Sequence, residues 1–554
     1  MKHTHQLKYI TFILASLTLA ACGGGGGGTG TGGGTGGTSP PSVTATTPIN
    51  NSTGVLTNSL PSATFNNDMN ITSLTASSFT LDGATPLNGS VSYDAATRTA
   101  IYTPTVPLRP GTVHTASLTT AVTGTNGQSL PALYQWQFTT ENFIQRISLG
   151  SNTIAGNNSS YNPSSSADGR YIVFASAANN LISGDTNGVD DIFLHDSQTG
   201  TTIRVSVDSN GNQTNNSSSF PTISADGRYV VFVSDASNLV SSDTNGLKDI
   251  FVHDTQTGTT TRGSVDSNAT QSNSNSRYPD ISADGRYIVF ESSASNLVSN
   301  DTNSLSDIFL HDNQTGITAR VSVDSGNGQV SGSSTKPVIS DNGRYIAFES
   351  SSNTLVSGDS NGVADIFLRD TQTGTTTRVS VDSNGNQSNS TNYPGVSISG
   401  DGRYVAFASR ASNLVSGDTN SATDIFVRDT QTGTTIRVSV DSNGNQGNAS
   451  SFAPSATTAT ISANGRYVAF QSDASNLVAA DTNGVQDIFV HDTQTGITRR
   501  ISLDANGTQA NSFSGSAVMS DDGRYVAFDS SASNLVSGDS NGVADVFRAL
   551  NTTP

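Results

Sequence analysis

The stretch Ile223-Ser-Ala-Asp-Gly-Arg-Tyr-Val-Val-Phe-Val-Ser-Asp-Ala-Ser-Asn-Leu-Val-Ser-Ser-Asp-Thr-Asn-Gly-Leu-Lys-Asp-Ile-Phe-Val-His-Asp-Thr-Gln-Thr-Gly258 decides the fold. Its Gly-Arg-Tyr begins at Gly227 and recurs at Gly169, Gly285, Gly343, Gly402, Gly465 and Gly523, at spacings of 58, 58, 58, 59, 63 and 58 residues. A fixed period of this length is the mark of a repeat architecture. Each repeat holds four short runs rich in Val, Ile, Phe, Tyr and Thr, separated by turn residues, with no helical periodicity. In the second repeat the runs are Pro221–Ser224, Arg228–Ser234, Asp249–His253 and Thr260–Val265. Asp226-Gly227 and Thr257-Gly258 supply the tight turns between them. Four antiparallel strands repeated seven times predict an all-β, seven-bladed β-propeller over residues 142–554.

The two ends of that region predict how it closes. The last repeat reaches its third strand at Asp545-Val-Phe547 and then runs only to Pro554. Ahead of the first repeat stands Arg146-Ile-Ser-Leu149, the same tetrapeptide as Arg500-Ile-Ser-Leu503 in the fourth strand of the sixth. The N-terminal strand is therefore expected to complete the last blade and remove the open edges.

Ser224-Ala-Asp-Gly-Arg-Tyr-Val-Val-Phe232 followed by Asp249-Ile-Phe-Val-His-Asp-Thr-Gln-Thr-Gly258 resembles the TolB-type, WD40-like (PD40) propeller repeat. The resemblance covers residues 142–554 and implies the fold, often with a protein-binding role. It does not imply one activity, because propellers host many.

Residues 1–21 read as a leader: Lys2 and Lys8, then a short apolar run from Ile10 to Ala21. Leu19-Ala-Ala-Cys22 resembles a bacterial lipobox, which implies a diacylglyceryl anchor on Cys22, the sole cysteine of the chain. With that thiol lipidated, no disulfide or thiol redox chemistry is expected. The next residue is Gly23 rather than Asp, so the expected address is the outer membrane, facing the periplasm or the cell surface. Residues 22–39 are the lipidated cysteine and a Gly-rich tether. Residues 40–140 show short alternating strands, among them Phe79-Thr-Leu81, Val91-Ser-Tyr93 and Trp136-Gln-Phe-Thr-Thr140. Their order resembles the bacterial Ig-like domain of the SbsA/Big_5 type, which implies a β-sandwich spacer. Trp136 reads as sandwich core in preference to a sugar platform.

A net charge of −18 and a pI near 4.6 argue against nucleic acid and anionic lipid surfaces as partners. The acid is almost all Asp, with Glu only at positions 141, 291 and 349. Strand alternation puts the tight turns on one face and the long loops, such as Ser234–Lys248 and Asp266–Arg277, on the other. The acidic loop face is the expected interaction surface.

Every loop between the second and third strands ends in Asp-x-Asn-x-x-x-Asp: Asp185/Asn187/Asp191, Asp243/Asn245/Asp249, Asp301/Asn303/Asp307, Asp359/Asn361/Asp365, Asp418/Asn420/Asp424, Asp481/Asn483/Asp487 and Asp539/Asn541/Asp545. Two readings stay open. Alternate oxygen ligands around a turn suit Ca²⁺, although the third ligand, Gly and distant Glu of an EF-hand loop are missing. The same residues also make hydrogen-bonded turns, as do Asp208-Ser-Asn-Gly-Asn212 and Asp382-Ser-Asn-Gly-Asn386. His195, His253, His311 and His491 share one repeat position with Arg369 and Arg428. In separate blades they are too far apart to hold one ion, and they read as packing or surface residues. No nucleophile, base and oxyanion device come together in the pattern, and no phosphate loop follows a strand into a helix. Peptidases with such propellers append a catalytic α/β domain, and no segment here reads as one.

The expectation is a non-catalytic, monomeric, lipid-anchored envelope protein that needs no cofactor. Its membrane contact is the anchor, and its partner an envelope or extracellular protein or glycan. Two alternatives remain: a polysaccharide lyase or glycan-active enzyme using the axial channel, and a TolB-like periplasmic coupling protein. The near-identity of the repeats weighs against catalysis; a unique inward-facing His, Arg or Lys would weigh for it.

Overall fold

The structure is a computed structural model that describes residues 39–82, 86–451 and 459–552. The leader, Cys22 and the Gly-rich tether lie outside the described residues. What is described is all-β apart from one short 3₁₀ turn, Ile71–Ser73. Among the described residues no helix is long and apolar enough to cross a membrane.

The chain falls into two compact units, one built from residues 39–50, 60–106 and 115–136, the other from 51–59, 107–114 and 137 onward. In the first unit, Val43–Thr47, Ser62–Phe65, Thr99–Pro104 and Gly89–Asp94 form one sheet in that order. Phe79–Leu81 pairs with Val113–Leu118 in a second. Trp136 is 1% exposed and packs 5.7 Å from Phe79, which in turn lies 5.5 Å from Tyr102. That is the core position expected of it.

The second unit holds seven four-stranded antiparallel sheets, one per repeat. In the second repeat the strands are Ser218–Ile223, Tyr229–Ser234, Asp249–Asp254 and Thr259–Arg262. Second and third strands are buried on both faces, as packing between neighbouring sheets demands. Phe232 and Phe251 sit opposite each other and stack at 6.1 Å, and each other sheet repeats this pair.

Two strand limits differ from the sequence expectation by three residues, each for a physical reason, and the others agree to within one. The first strand begins earlier, at Ser218, because a bulge between Ser219 and Thr222 carries it past Pro221. Phe220 takes up that bulge with a left-handed φ of 50°. The fourth strand stops at Arg262, because the chain there turns inward to bury Arg262 and Ser264.

The Gly-Arg-Tyr motif now has a mechanism. Gly227 has φ of 77°, and a Cβ on it would collide with the ring of Tyr171 in the preceding repeat. Gly285 meets Tyr229, Gly343 meets Tyr287, Gly402 meets Tyr345, Gly465 meets Tyr404 and Gly523 meets Tyr467. Gly169 of the first repeat meets Tyr525 of the last. The intervening arginine closes its own sheet: Arg228 donates to both oxygens of Asp254 at 3.0 and 2.6 Å and stacks 4.7 Å from the Tyr229 ring.

Ile144–Arg146 pairs antiparallel with Asp545–Leu550 as fourth strand of the last sheet. Arg524 in this sheet has no aspartate at the usual place, which Leu550 occupies. Glu141 substitutes, pairing with Arg524 at 2.9 Å and accepting from the Tyr525 hydroxyl. The apolar cluster of Ile147, Ile172, Phe174 and Val546 joins first and last sheets.

Candidate functional site

The structure draws the loop aspartates inward. In the first repeat Arg204 lies 3.2 Å from Asp185 and 3.1 Å from Asp191. Asn187 donates to Asp191 at 3.0 Å, and the Ser206 hydroxyl donates to it at 2.6 Å. The same clasp recurs with Arg262 on Asp243 and Asp249, Arg320 on Asp301 and Asp307, Arg378 on Asp359 and Asp365, Arg437 on Asp418 and Asp424, and Arg500 on Asp481 and Asp487. In the last sheet Arg146 reaches Asp539 and Asp545 from the N-terminal strand. Asn245, Asn303, Asn361, Asn420, Asn483 and Asn541 each bond the second aspartate of their loop.

The arginine thus takes the position between two carboxylates that a cation would need. Among the described residues no group of three or more His, Cys, Asp or Glu is arranged to hold a metal ion. Asp208 and Asp382 cap their own turns, each accepting two backbone N–H bonds. The signal for the clasp was in the sequence as Arg-x-Ser, recurring at Arg204, Arg262, Arg320, Arg378, Arg437 and Arg500 and, ahead of the first repeat, at Arg146.

The histidines are packing residues. His195 is buried against the Thr202 hydroxyl at 2.9 Å, and burial, with Arg548 nearby, lowers its pKa to about 4. His253, His311 and His491 repeat the arrangement, and Arg369 and Arg428 use the same threonine position.

The repeats diverge where their first strands meet. A cavity of about 260 Å³ is lined by first-strand residues from all seven sheets. The bulge residues of six of these strands line it: Asn162, Phe220, Tyr278, Lys336, Gly395 and Ser516, with left-handed φ between 47° and 116°; the sixth repeat's equivalent lies outside the described residues. Side chains other than glycine rarely hold this conformation, and where they do it is often at a functional site. Proline follows the bulge residue in the first four repeats, so the strand resumes without needing that N–H.

Phe220 and Tyr278 meet edge to face at 5.1 Å. Lys336 Nζ stands 5.3 Å from the centre of the Tyr278 ring. Behind the bulge, one position of the second strand also diverges. Asp529 accepts from the Asn162 amide at 3.3 Å, Gln471 from the Ser516 amide at 3.0 Å and Glu291 from the Thr335 hydroxyl. Glu349 has the same place, but its Oε2 is buried with no hydrogen-bond partner. Burial pushes Glu349 up to about 7 against the pull of Lys336, and burial lowers Lys336.

The tight-turn end of the cavity is acidic. Asp280 accepts from the Ile281 and Ile339 amides at 2.9 Å each, and burial pushes it up to about 7. Asp521 is likewise pushed up to about 7 by burial and by Asp341, Asp522 and Asp280. Backbone bonds link the sheets here: Ala167 to Ala225, Ala225 to Ala283, Ala283 to Asp341, Gly400 to Ala463, Ala463 to Asp521 and Asp522 to Ala167.

A carboxyl whose folded pKa is raised contributes its full stability below its unfolded pKa and loses it as pH rises through the folded value. Asp280→Asn removes that loss. The melting temperature of the variant relative to the parent chain is expected to move upward between pH 5 and pH 8, by roughly 1–3 kcal/mol in stability. Thermal unfolding at the two pH values checks it; a gap that is constant with pH contradicts it.

None of these cavity residues was singled out by sequence reasoning. The nearest signal lies behind the lining, in the placing of two of the three glutamates, Glu291 and Glu349, at one repeat position.

Residues 37–140 match the Big_5 bacterial Ig-like domain. No curated protein matches the chain. Among solved structures, a putative TolB from Agrobacterium tumefaciens is 16% identical, with a TM-score of 0.31, covering 50% of this chain and 80% of that one. An oligogalacturonate lyase from Vibrio parahaemolyticus is 13% identical, with a TM-score of 0.42, covering 84% and 96%. The β-propeller domain of the Trilobed protease from Pyrococcus furiosus is 10% identical, with a TM-score of 0.43, covering 71% and 95%. Likenesses this distant carry no activity across.

Proposed function

We propose that this chain is a non-catalytic, lipid-anchored binding protein of the bacterial outer membrane, in which a closed seven-bladed propeller holds a small-ligand cavity on its axis. The Ig-like domain acts as its spacer. One observation carries the reading. The repeats keep the same clasp, aromatic pair and Gly–Tyr contact throughout, yet differ at the bulge residues that face the cavity. A scaffold gains nothing from that divergence; a ligand site does, since a few placed polar groups in a concave pocket give orientation and specificity. Closure is supported by the Ile144–Arg146 pairing, the Gly169–Tyr525 contact and the Asp522–Ala167 bond. The loop acids are largely engaged with arginine or with their own turns, which favours the cavity over the acidic loop face.

The test is thermal unfolding of the mature, anchored protein against a library of small polar compounds, beside Ser516→Trp. That substitution fills the cavity from a position whose equivalents already hold Phe220 and Tyr278. Ligands are expected to raise the melting temperature of the parent chain by mass action and not that of the filled variant. Ligands that act equally on both would place binding elsewhere.

A second reading is an eliminating enzyme acting on a polysaccharide. It is favoured by Lys336, whose pKa burial lowers and which stands beside Tyr278 and near Glu349, since a lysine is one of the side chains that serve as general bases. Formation of unsaturated sugar ends from a uronate polymer, lost in Lys336→Met, would establish it.

A further inference from the structure

We infer that the edge of the last sheet is a recognition surface coded for one strand, the N-terminal Ile144–Arg146, and that Arg548 is the residue that reads it. This rests on the closed ring and goes beyond it, since it accounts for why that strand and no other completes it.

The need for a code comes from the repeats themselves. Six fourth strands follow their own third strands through a tight turn, so the chain fixes their partner. The last third strand, Asp545–Leu550, takes its partner from the other end of the propeller. Much of the closing strand does not mark it, because Arg146-Ile-Ser-Leu149 is identical to Arg500-Ile-Ser-Leu503. An unpaired strand edge is a template for any segment that matches it.

The last third strand changes character at three consecutive residues, Arg548, Ala549 and Leu550, and the N-terminal segment answers each change. The equivalents of Arg548 are apolar: Leu194, Val252, Leu310, Leu368, Val427 and Val490, which stand opposite Ile203, Thr261, Ala319, Thr377, Ile436 and Arg499. Arg548 stands opposite Gln145 and donates to its Oε1 at 3.0 Å. The same guanidinium donates to the Gly169 carbonyl at 2.7 Å and the Ser197 hydroxyl at 2.6 Å in the first sheet, and lies 4.3 Å from the centre of the Tyr525 ring. Ala549 replaces the histidine or arginine that elsewhere bonds a threonine across the pair, and it faces Ile144 in place of that threonine. Leu550 replaces the aspartate, and Glu141 supplies the carboxylate. Five residues before the clasp arginine, where Glu141 stands, the other repeats have threonine, as at Thr199 and Thr257.

Arg548 is 8% exposed. A guanidinium so buried is costly unless its donors are met. They are met when the first sheet is docked and an acceptor of sufficient length stands opposite. Isoleucine and alanine offer no acceptor, threonine is too short, and Arg499 would bring like charge. A buried arginine adds little stability over the leucine or valine of the other sheets. What it adds is discrimination, because specificity comes from penalties on the wrong partner as well as contacts with the right one.

The test is hydrogen exchange on the mature protein, read at two amides. Ile147 donates to the Val546 carbonyl across the closing pair at 2.7 Å, and Val321 makes the equivalent bond to Ile308 at 2.7 Å in the third sheet. Gln145→Arg gives the closing strand the residue of the sixth sheet. The opening constant at Ile147 is expected to rise about tenfold, the scale of one hydrogen bond to a charged group, with Val321 unchanged. Adding Arg548→Val recreates the Val490–Arg499 pair and should restore the parent's protection at Ile147. Gln145→Glu keeps an acceptor of the same length and should protect Ile147 at least as well as the parent. Full protection of Ile147 in Gln145→Arg, no rescue by Arg548→Val, or an equal rise at Val321 overturns the code and leaves the ring closed. An Ile147 amide unprotected in the parent chain overturns the closure, and the code with it.

Discussion

Replacing Arg378 with methionine destabilises the propeller by about 3–5 kcal/mol, the scale for removing one partner of a buried ion pair. Arg378 is 3.2 Å from Asp359 and 3.1 Å from Asp365, and Asp365 is fully buried. Asp359 has its pKa raised, first by burial and then by Asp365, with Arg378 acting against both. Take the guanidinium away and two carboxylates face each other in a site with little water. Denaturant unfolding of the variant and the parent measures the loss. Arg378→Lys keeps the charge but not the planar fork and should recover only part of it. The same experiment decides the calcium question. With the arginine present, millimolar Ca²⁺ is expected to leave the melting temperature where EDTA leaves it. In Arg378→Met the vacated place lies between two carboxylates, and Ca²⁺ should restore some of the lost stability. A rise in the parent chain with Ca²⁺ but not Mg²⁺ would make the Asp-x-Asn loops cation sites in spite of the arginines.

Gly285→Ala is expected to cost roughly 2–4 kcal/mol, through left-handed backbone and a collision together. Gly285 has φ of 74°, and a Cβ there falls on the Tyr229 ring of the preceding sheet. Gly258 is the internal control: its φ is 71°, but a Cβ on it would meet nothing within 4 Å. Gly258→Ala therefore pays only the backbone term, about 1–2 kcal/mol. In a Tyr229→Ala background the cost of Gly285→Ala should fall toward that of the control. A double-mutant cycle gives the coupling directly. Equal costs at the two glycines would mean that the Gly–Tyr contact between sheets is not what fixes the motif.

Much of the fold was legible because it is written seven times. Period, turn residues and paired aromatic runs point to four strands per repeat, and the structure has them within a few residues. The start of the first strand was missed at Phe220, because a left-handed non-glycine residue before proline has no sequence signature of its own. The loop aspartates were found, but their partner was not. Arg204 and its equivalents stand in the fourth strand, 13 residues after the second aspartate, and only folding brings the two together. The cavity was the least legible part. A motif search rewards what repeats, whereas the cavity is made from what does not: Asn162, Phe220, Tyr278, Lys336 and Ser516 occupy one position with different chemistry.

The cavity exists only if the seven sheets close on themselves, and the most direct measurement is a cross-link across the closing pair. Ile144 lies opposite Ala549 in the last sheet. Ile144→Cys and Ala549→Cys, introduced together with Cys22→Ser, place two thiols on directly opposed strand positions, close to disulfide geometry. On mild oxidation the monomer is expected to form the bond, seen as a single linked peptide by mass spectrometry, and to unfold at a higher temperature than its reduced form. Failure to link, or linkage only between molecules, would mean that the N-terminal strand does not complete the last sheet, and the closed ring with its axial ligand site would fall with it.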